Sequence, residues 1–400
     1  MRAVTKGTDS APDPYRVLFP LGVFYAIAGA APWLLYAFGR MPWPGPLHRA
    51  LMIEGFELCF VLGFLLTAIP AFTHGARCTP LELAGAVAGP LVFGLCAALG
   101  LEAGALAAFT LTIVWLAVAV VRRLVVAKVP PPEEFQFVGL GLVLGLAGGV
   151  VQFGAALRWW EEPAPRLGIH LVSLGMVLAL VLGVGSMLVP VFAGLRDPLV
   201  IQGVAGPHER RGRRPLYTAL AAGLVLSFVA ESTALARLGE LLRALVATVF
   251  VTLVWKLARL PGRRALGAWT MWTSGWLVLV GLWLAAALPL QAVGFHHLVF
   301  IGGYGLLTLA IGTRVVLGHG RFPLSNESVV LSPLVVIAIA LALALRVAAD
   351  GLPPPAQPHA LAASAAMWML AWLSWSFAAG PRIARVMGVP AAAPPTTPSR

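Results

Sequence analysis

Apolar runs of bilayer-spanning length follow one another along nearly the whole chain, and this leaves few folds open. They cover about 17–39, 50–72, 81–100, 103–121, 136–157, 167–193, 215–234, 238–256, 265–288, 293–317, 328–349 and 361–380. About 20 apolar residues are what a helix needs to cross the hydrocarbon core. Lipid offers no hydrogen bonds, so each crossing segment must satisfy its own backbone. The expected fold class is therefore all-α, a polytopic transmembrane helix bundle of about 12 spans. With 59% hydrophobic and only 11% charged residues, a soluble globule is excluded. The joins at 100–103 and 234–238 hold almost no polar residues to turn in. One of those pairs is instead a candidate re-entrant or bent segment.

Charge tests the count. With twelve spans and a cytoplasmic N-terminus, most of the 28 Lys and Arg residues fall on the cytoplasmic side, as the positive-inside rule requires. Both termini are then expected in the cytoplasm. The net charge of +12 reads as topology and contact with membrane lipids, with no nucleic acid as partner. The cluster RRGRRP at 210–215 lies in a short loop beside a helix start. Cys59, Cys78 and Cys96 show no CxxC spacing, and no disulfide framework or zinc site is implied. Residues 1–16 read as a polar cytoplasmic segment without the apolar core of a cleaved signal, and 387–400 as a disordered Ala/Pro/Thr-rich tail. The basic loop at 194–214 divides the chain into two six-helix halves, 17–193 and 215–386. A weak echo among GFLLTAIPAFTHG (63–75), GVGSMLVPVFAGL (183–195) and AIGTRVVLGHG (310–320) leaves repeats of four helices as the alternative.

Topology sorts the histidines. His48, His170, His296 and His297 all fall at the external ends of spans; His74, His208 and His319 lie on the cytoplasmic side and His359 in the last external loop. From His297 to Arg314 is 17 residues, roughly 26 Å of helix, which sets the two groups at opposite faces. Imidazole is a common axial ligand of haem and a good copper ligand, so histidines at one depth in a bundle are candidates for a buried site. Glu54 and Glu57 lie three residues apart inside the second run, which on an α-helix puts them on one face. A carboxylate in that position is costly, and at least one is expected to face the interior as a proton or cation group. Glu231 reads as a headgroup-level residue near Arg237. The tryptophans of WTMWTSGW (269–276) and WMLAWLSW (368–375) read as interfacial belts.

Two segments carry a family resemblance. HLVFIGGYGLLTLAIGTRVVLGHGRFPL resembles the late helix of the NnrS family, bacterial membrane proteins linked to the response to nitric oxide, with His297, Gly302, Gly305, Arg314, Gly318, His319 and Arg321 on matching positions. LHRALMIEGFELCFVLGFLLTAIPAFTHG (47–75) is similar to that family's early histidine helix, matching at His48, Met52, Gly55, Phe56 and the G-F-L-L-T-A run. The chain departs where it has Ala50 for a second histidine, Met187 for an arginine, and Thr273 and Gln152 for two further histidines. The resemblance implies a multi-pass protein of the bacterial cytoplasmic (inner) membrane that holds haem b, and copper as well, and meets nitric oxide; its protein partner is unknown. It further implies His48 and His297 as the axial pair and Arg49 as a propionate partner. His170 and His296 are then the further metal candidates, and Glu54, Glu57, Arg314 and His319 the polar groups that match the family or lie within the membrane. The alternatives are a twelve-helix secondary transporter, although the loop HGARCTPLE lacks the major facilitator signature, and a non-catalytic haem sensor or scaffold.

Overall fold

In a computed structural model that describes residues 12–127, 131–196 and 213–385, each apolar run becomes a helix. We number them α1 Tyr15–Ala37, α2 Gly45–Thr73, α3 Pro80–Ala98, α4 Glu102–Val125, α5 Phe135–Ala156, α6 Ala164–Phe192, α7 Arg214–Glu231, α8 Ala236–Leu253, α9 Leu266–Ala287, α10 Pro289–His319, α11 Pro333–Ala349 and α12 Gln357–Arg385. The described residues contain no strand, so the chain is an all-α bundle. Among them nine helices are long and apolar enough to cross a membrane, or ten when α11 is joined to the short helix Leu324–Val330, from which it bends by 44°. Twelve spans is therefore too many by this measure. α8 contains Arg237, Glu240 and Arg243, and α7 is bounded by Arg214 and Glu231. The bend is also not at either tight join. Residues 99–101 and 232–235 simply turn between packed antiparallel helices, the first with Gly100 at φ +71. The break falls at Ser332, which is extended because the following Pro333 disfavours helical geometry before it.

The packing repeats every four helices. The first helix of each set lies on the second (α1 on α2, α5 on α6, α9 on α10), and the last two form a hairpin. The final helix of one set then meets the first of the next: α4 on α5, α8 on α9, and α12 back on α1. The three echoing segments, 63–75, 183–195 and 310–320, fall at the ends of α2, α6 and α10, four helices apart. The centre of the bundle is formed by α2, α6 and α10, whose apolar windows are 83, 89 and 83% buried against 28–56% for the other spanning helices.

Between helices in lipid there is no hydrophobic driving force, so close van der Waals contact must hold them, and small residues allow it. A glycine seam joins the first helix of each set to the central one. A Cβ at Gly22 would stand 2.7 Å from the Phe60 ring, one at Gly148 2.8 Å from the Gly168 carbonyl oxygen, and one at Gly281 2.7 Å from Val299. Because the Gly168 obstacle is backbone, Gly148→Leu should cost about 1–3 kcal/mol and lower the melting temperature in detergent. Gly139→Leu, on the same helix with nothing within 4 Å, should leave it unchanged.

The two ends of the described chain meet at one end of the bundle, where Arg16 Nη1 donates to the Ile383 carbonyl at 2.9 Å. The tryptophans divide. Trp269 and Trp276 are exposed as a belt would be, but Trp368, Trp372 and Trp375 are 4, 0 and 1% exposed. They pack on Phe56 and Phe60 in the core because α12 is wedged between α1 and α10, and Trp368 donates to the Ala26 carbonyl at 3.1 Å. His208, residues 210–212 of the basic cluster and the 387–400 tail lie outside the described residues.

Candidate functional site

The three central helices share one irregularity. Each opens with an ordinary helical stretch, widens into a π-helical segment at Leu51–Glu57, Leu171–Met176 and Leu298–Gly305, and then resumes α geometry. A π turn makes i→i+5 bonds, which re-aims the side chains around it and recurs at functional sites. The histidines sit just before these segments: His48 in α2, His170 in α6, His296 and His297 in α10. All four line a single cavity of about 620 Å³ at the end of the bundle opposite the Arg16–Ile383 contact.

They form two pairs. The rings of His48 and His297 lie 6.4 Å apart between centroids and only 9° from parallel. His48 Nδ1 is 2.8 Å from the Gly29 carbonyl on α1, and His297 Nδ1 is 2.7 Å from that of Val293. A carbonyl can only accept, so both Nδ1 atoms donate, and each Nε2 keeps a free lone pair. Such a backbone anchor is what fixes the ring of a metal-ligating histidine. Trp33 meets His48 edge-on at 5.5 Å. In the second pair, His170 and His296 are 6.2 Å apart at 73°. His170 Nδ1 donates to Glu231, which also takes the Arg243 guanidinium.

Glu231 is thus a buried ion-pair residue, not a headgroup-level one. α8 carries Arg243 into the bundle at 1% exposure, where Phe228 covers its guanidinium at 4.1 Å. Glu54 and Glu57 do not share a face, because the wider π turn splays residues three apart. Glu54 accepts from Gln152 Nε2 at 3.1 Å, away from the cavity, and Arg49 Nη1 donates to Gln152 Oε1 at 2.9 Å. Only Glu57 lines the cavity, and among the described residues it makes no hydrogen bond. Arg49 lines it too, as do Arg346 and Asp350, paired at 2.7 Å near the mouth.

Arg314 and His319 lie at the other end. Arg314 pairs with the buried Glu327 at 2.9 Å, and His319 lies beside Tyr15 at 5.9 Å. Sequence reasoning missed Arg243, Arg346 and Asp350. The available signal was a charge inside or at the end of an apolar helix, which is costly enough to need a partner.

The residues fit some groups and not others. Two imidazoles on opposite sides of one metal, at about 2.0–2.1 Å metal–nitrogen distance, put ring centres roughly 6 Å apart, close to the His48–His297 separation. A cavity of this size, walled by Trp33, Phe56, Phe300 and Trp368 with two arginines, has the composition of a cofactor pocket. Copper is less well served. Among the described residues no group of three or more His, Cys, Asp or Glu side chains gathers as a metal site, and the His170–His296 pair offers two donors.

A family model described as NnrS protein matches residues 11–386 of the chain. A search of curated proteins finds no match to it.

Proposed function

The chain belongs to the NnrS family, and from that premise we propose that it is a haem b-binding multi-pass protein of the bacterial cytoplasmic membrane, with both termini cytoplasmic, acting in nitric oxide response or tolerance. One observation carries the haem reading. Two near-parallel imidazoles, each with Nδ1 tied to a backbone carbonyl, lie 6.4 Å apart between centroids in one mainly apolar cavity. His48 and His297 would hold the haem through their free Nε2 atoms. Arg49 and Arg346 keep N–H groups beyond those in their present bonds to meet propionates. When bound, haem would supply one-electron iron chemistry and an affinity for diatomic gases.

The protein's own part is positional. The π turns aim the histidines, the Gly29 and Val293 carbonyls lock their rings, and Trp33, Phe56 and Trp368 keep water from the space between. His170, held by Glu231, and His296 line the same cavity.

Protein purified from haem-replete cells should yield about one haem b per chain by the pyridine haemochrome assay. The exposed His74 and His359 lie outside the cavity, so replacing both with Ala should leave that content unchanged. Protein without haem would overturn the reading and favour a transporter.

A further inference from the structure

Beyond the histidine cavity lies a smaller, partly open chamber of about 80 Å³ lined by α2, α6 and α10 with Phe19 of α1. Phe60, Phe64, Leu180, Val184, Leu307 and Ile311 make most of its wall. Only Glu57 and Thr308 bring side-chain polarity to it, and Glu57 lines both spaces and stands where they adjoin. Val61 on α2 and Val181 and Val184 on α6 are half-buried although those helices are among the three innermost, and all three residues line the chamber.

A buried water needs two to four polar partners, and apolar cavities that cannot provide them stay dry and take up apolar solutes such as xenon. Roughly 10–15 Å³ suffices for one water-sized body, so this chamber is large enough for a small molecule and too apolar to hydrate along most of its wall. A charged ligand would find no compensating cation there.

We infer that the chamber is a binding site for a small, uncharged, apolar molecule, a diatomic gas by class, and that it communicates with the histidine cavity past Glu57. The gas's use at the cavity rests on the haem reading above; the chamber's occupancy does not. A solute already dissolved in the bilayer's apolar phase loses little on entering such a wall, and the chamber then stores it within reach of the histidines.

Xenon is the probe. Detergent-purified wild-type protein under xenon pressure should show a specifically bound atom by ¹²⁹Xe NMR, or in a xenon-derivative structure as one site among Phe60, Leu180 and Ile311. Val181→Phe and, separately, Val184→Phe should fill the chamber and weaken xenon binding at least tenfold. Each variant's thermal unfolding identifies any that fails to fold, and the other then carries the test. No xenon in the wild type, a lipid chain found occupying the chamber, or undiminished binding in the folded variants would overturn the inference. Xenon uptake by a haem-free protein would retain the chamber and retire the haem; haem without xenon would do the reverse.

Discussion

Replacing His297 with Ala should reduce haem occupancy about tenfold or more, or shift the Soret and α bands of what remains, and His48→Ala should do the same. Either change removes one of the two imidazoles that lie 6.4 Å apart in the cavity, while His170 and His296 form a separate pair. His319→Ala, beside Tyr15 at the far end of the bundle, should leave the spectrum as it is. Absorption spectra of the three purified variants check this directly. Loss in His319→Ala with retention in His297→Ala would put the site at the wrong end of the molecule.

The second large effect is on stability. Arg243→Met deletes the cation from a buried set in which Glu231 accepts from both Arg243 and His170. Removing one member of a buried ion pair costs about 3–5 kcal/mol, because the remaining carboxylate loses its cation and keeps only the His170 ring N–H. The variant's apparent melting temperature in detergent should fall sharply. Glu231→Gln combined with Arg243→Met should recover much of the loss, since the orphaned charge is then gone. An unchanged melting temperature in the single variant would mean that Glu231 is solvated, contrary to its burial. His170 keeps its contact with Glu231 in the single variant, because its partner is the carboxylate and not Arg243.

Much of this arrangement was legible in the sequence. Spanning runs give twelve helices because length and apolarity are local properties. A common depth for His48, His170, His296 and His297 follows from counting residues in from the run ends. What pairs with what was not legible, since it depends on rotation about each helix axis, and the π segments reset that rotation. Glu54 and Glu57 show this: α spacing puts them together, and the π turn sends one to Gln152 and the other to the axis. The tryptophans of α12 show the other limit. WMLAWLSW has the composition of a belt, and only the closure of α12 onto α1 turns it inward. The repeat of four was faint because its seam is carried by glycines in different registers and its irregular turns share no sequence signature beyond a glycine. In α7 and α8 the charges that lower their apolarity are the ones that build the Glu231–Arg243 pair.

The central claim is that His48 and His297 together hold one haem. Electron paramagnetic resonance of the oxidised wild-type protein tests it most directly, because it reads both axial ligands and the angle between their planes. With rings 9° from parallel, the account predicts a low-spin ferric signal of the rhombic type that near-parallel imidazoles give. A high-spin signal, a highly anisotropic low-spin signal of perpendicular rings, or no ferric haem signal in protein from haem-replete cells would contradict it.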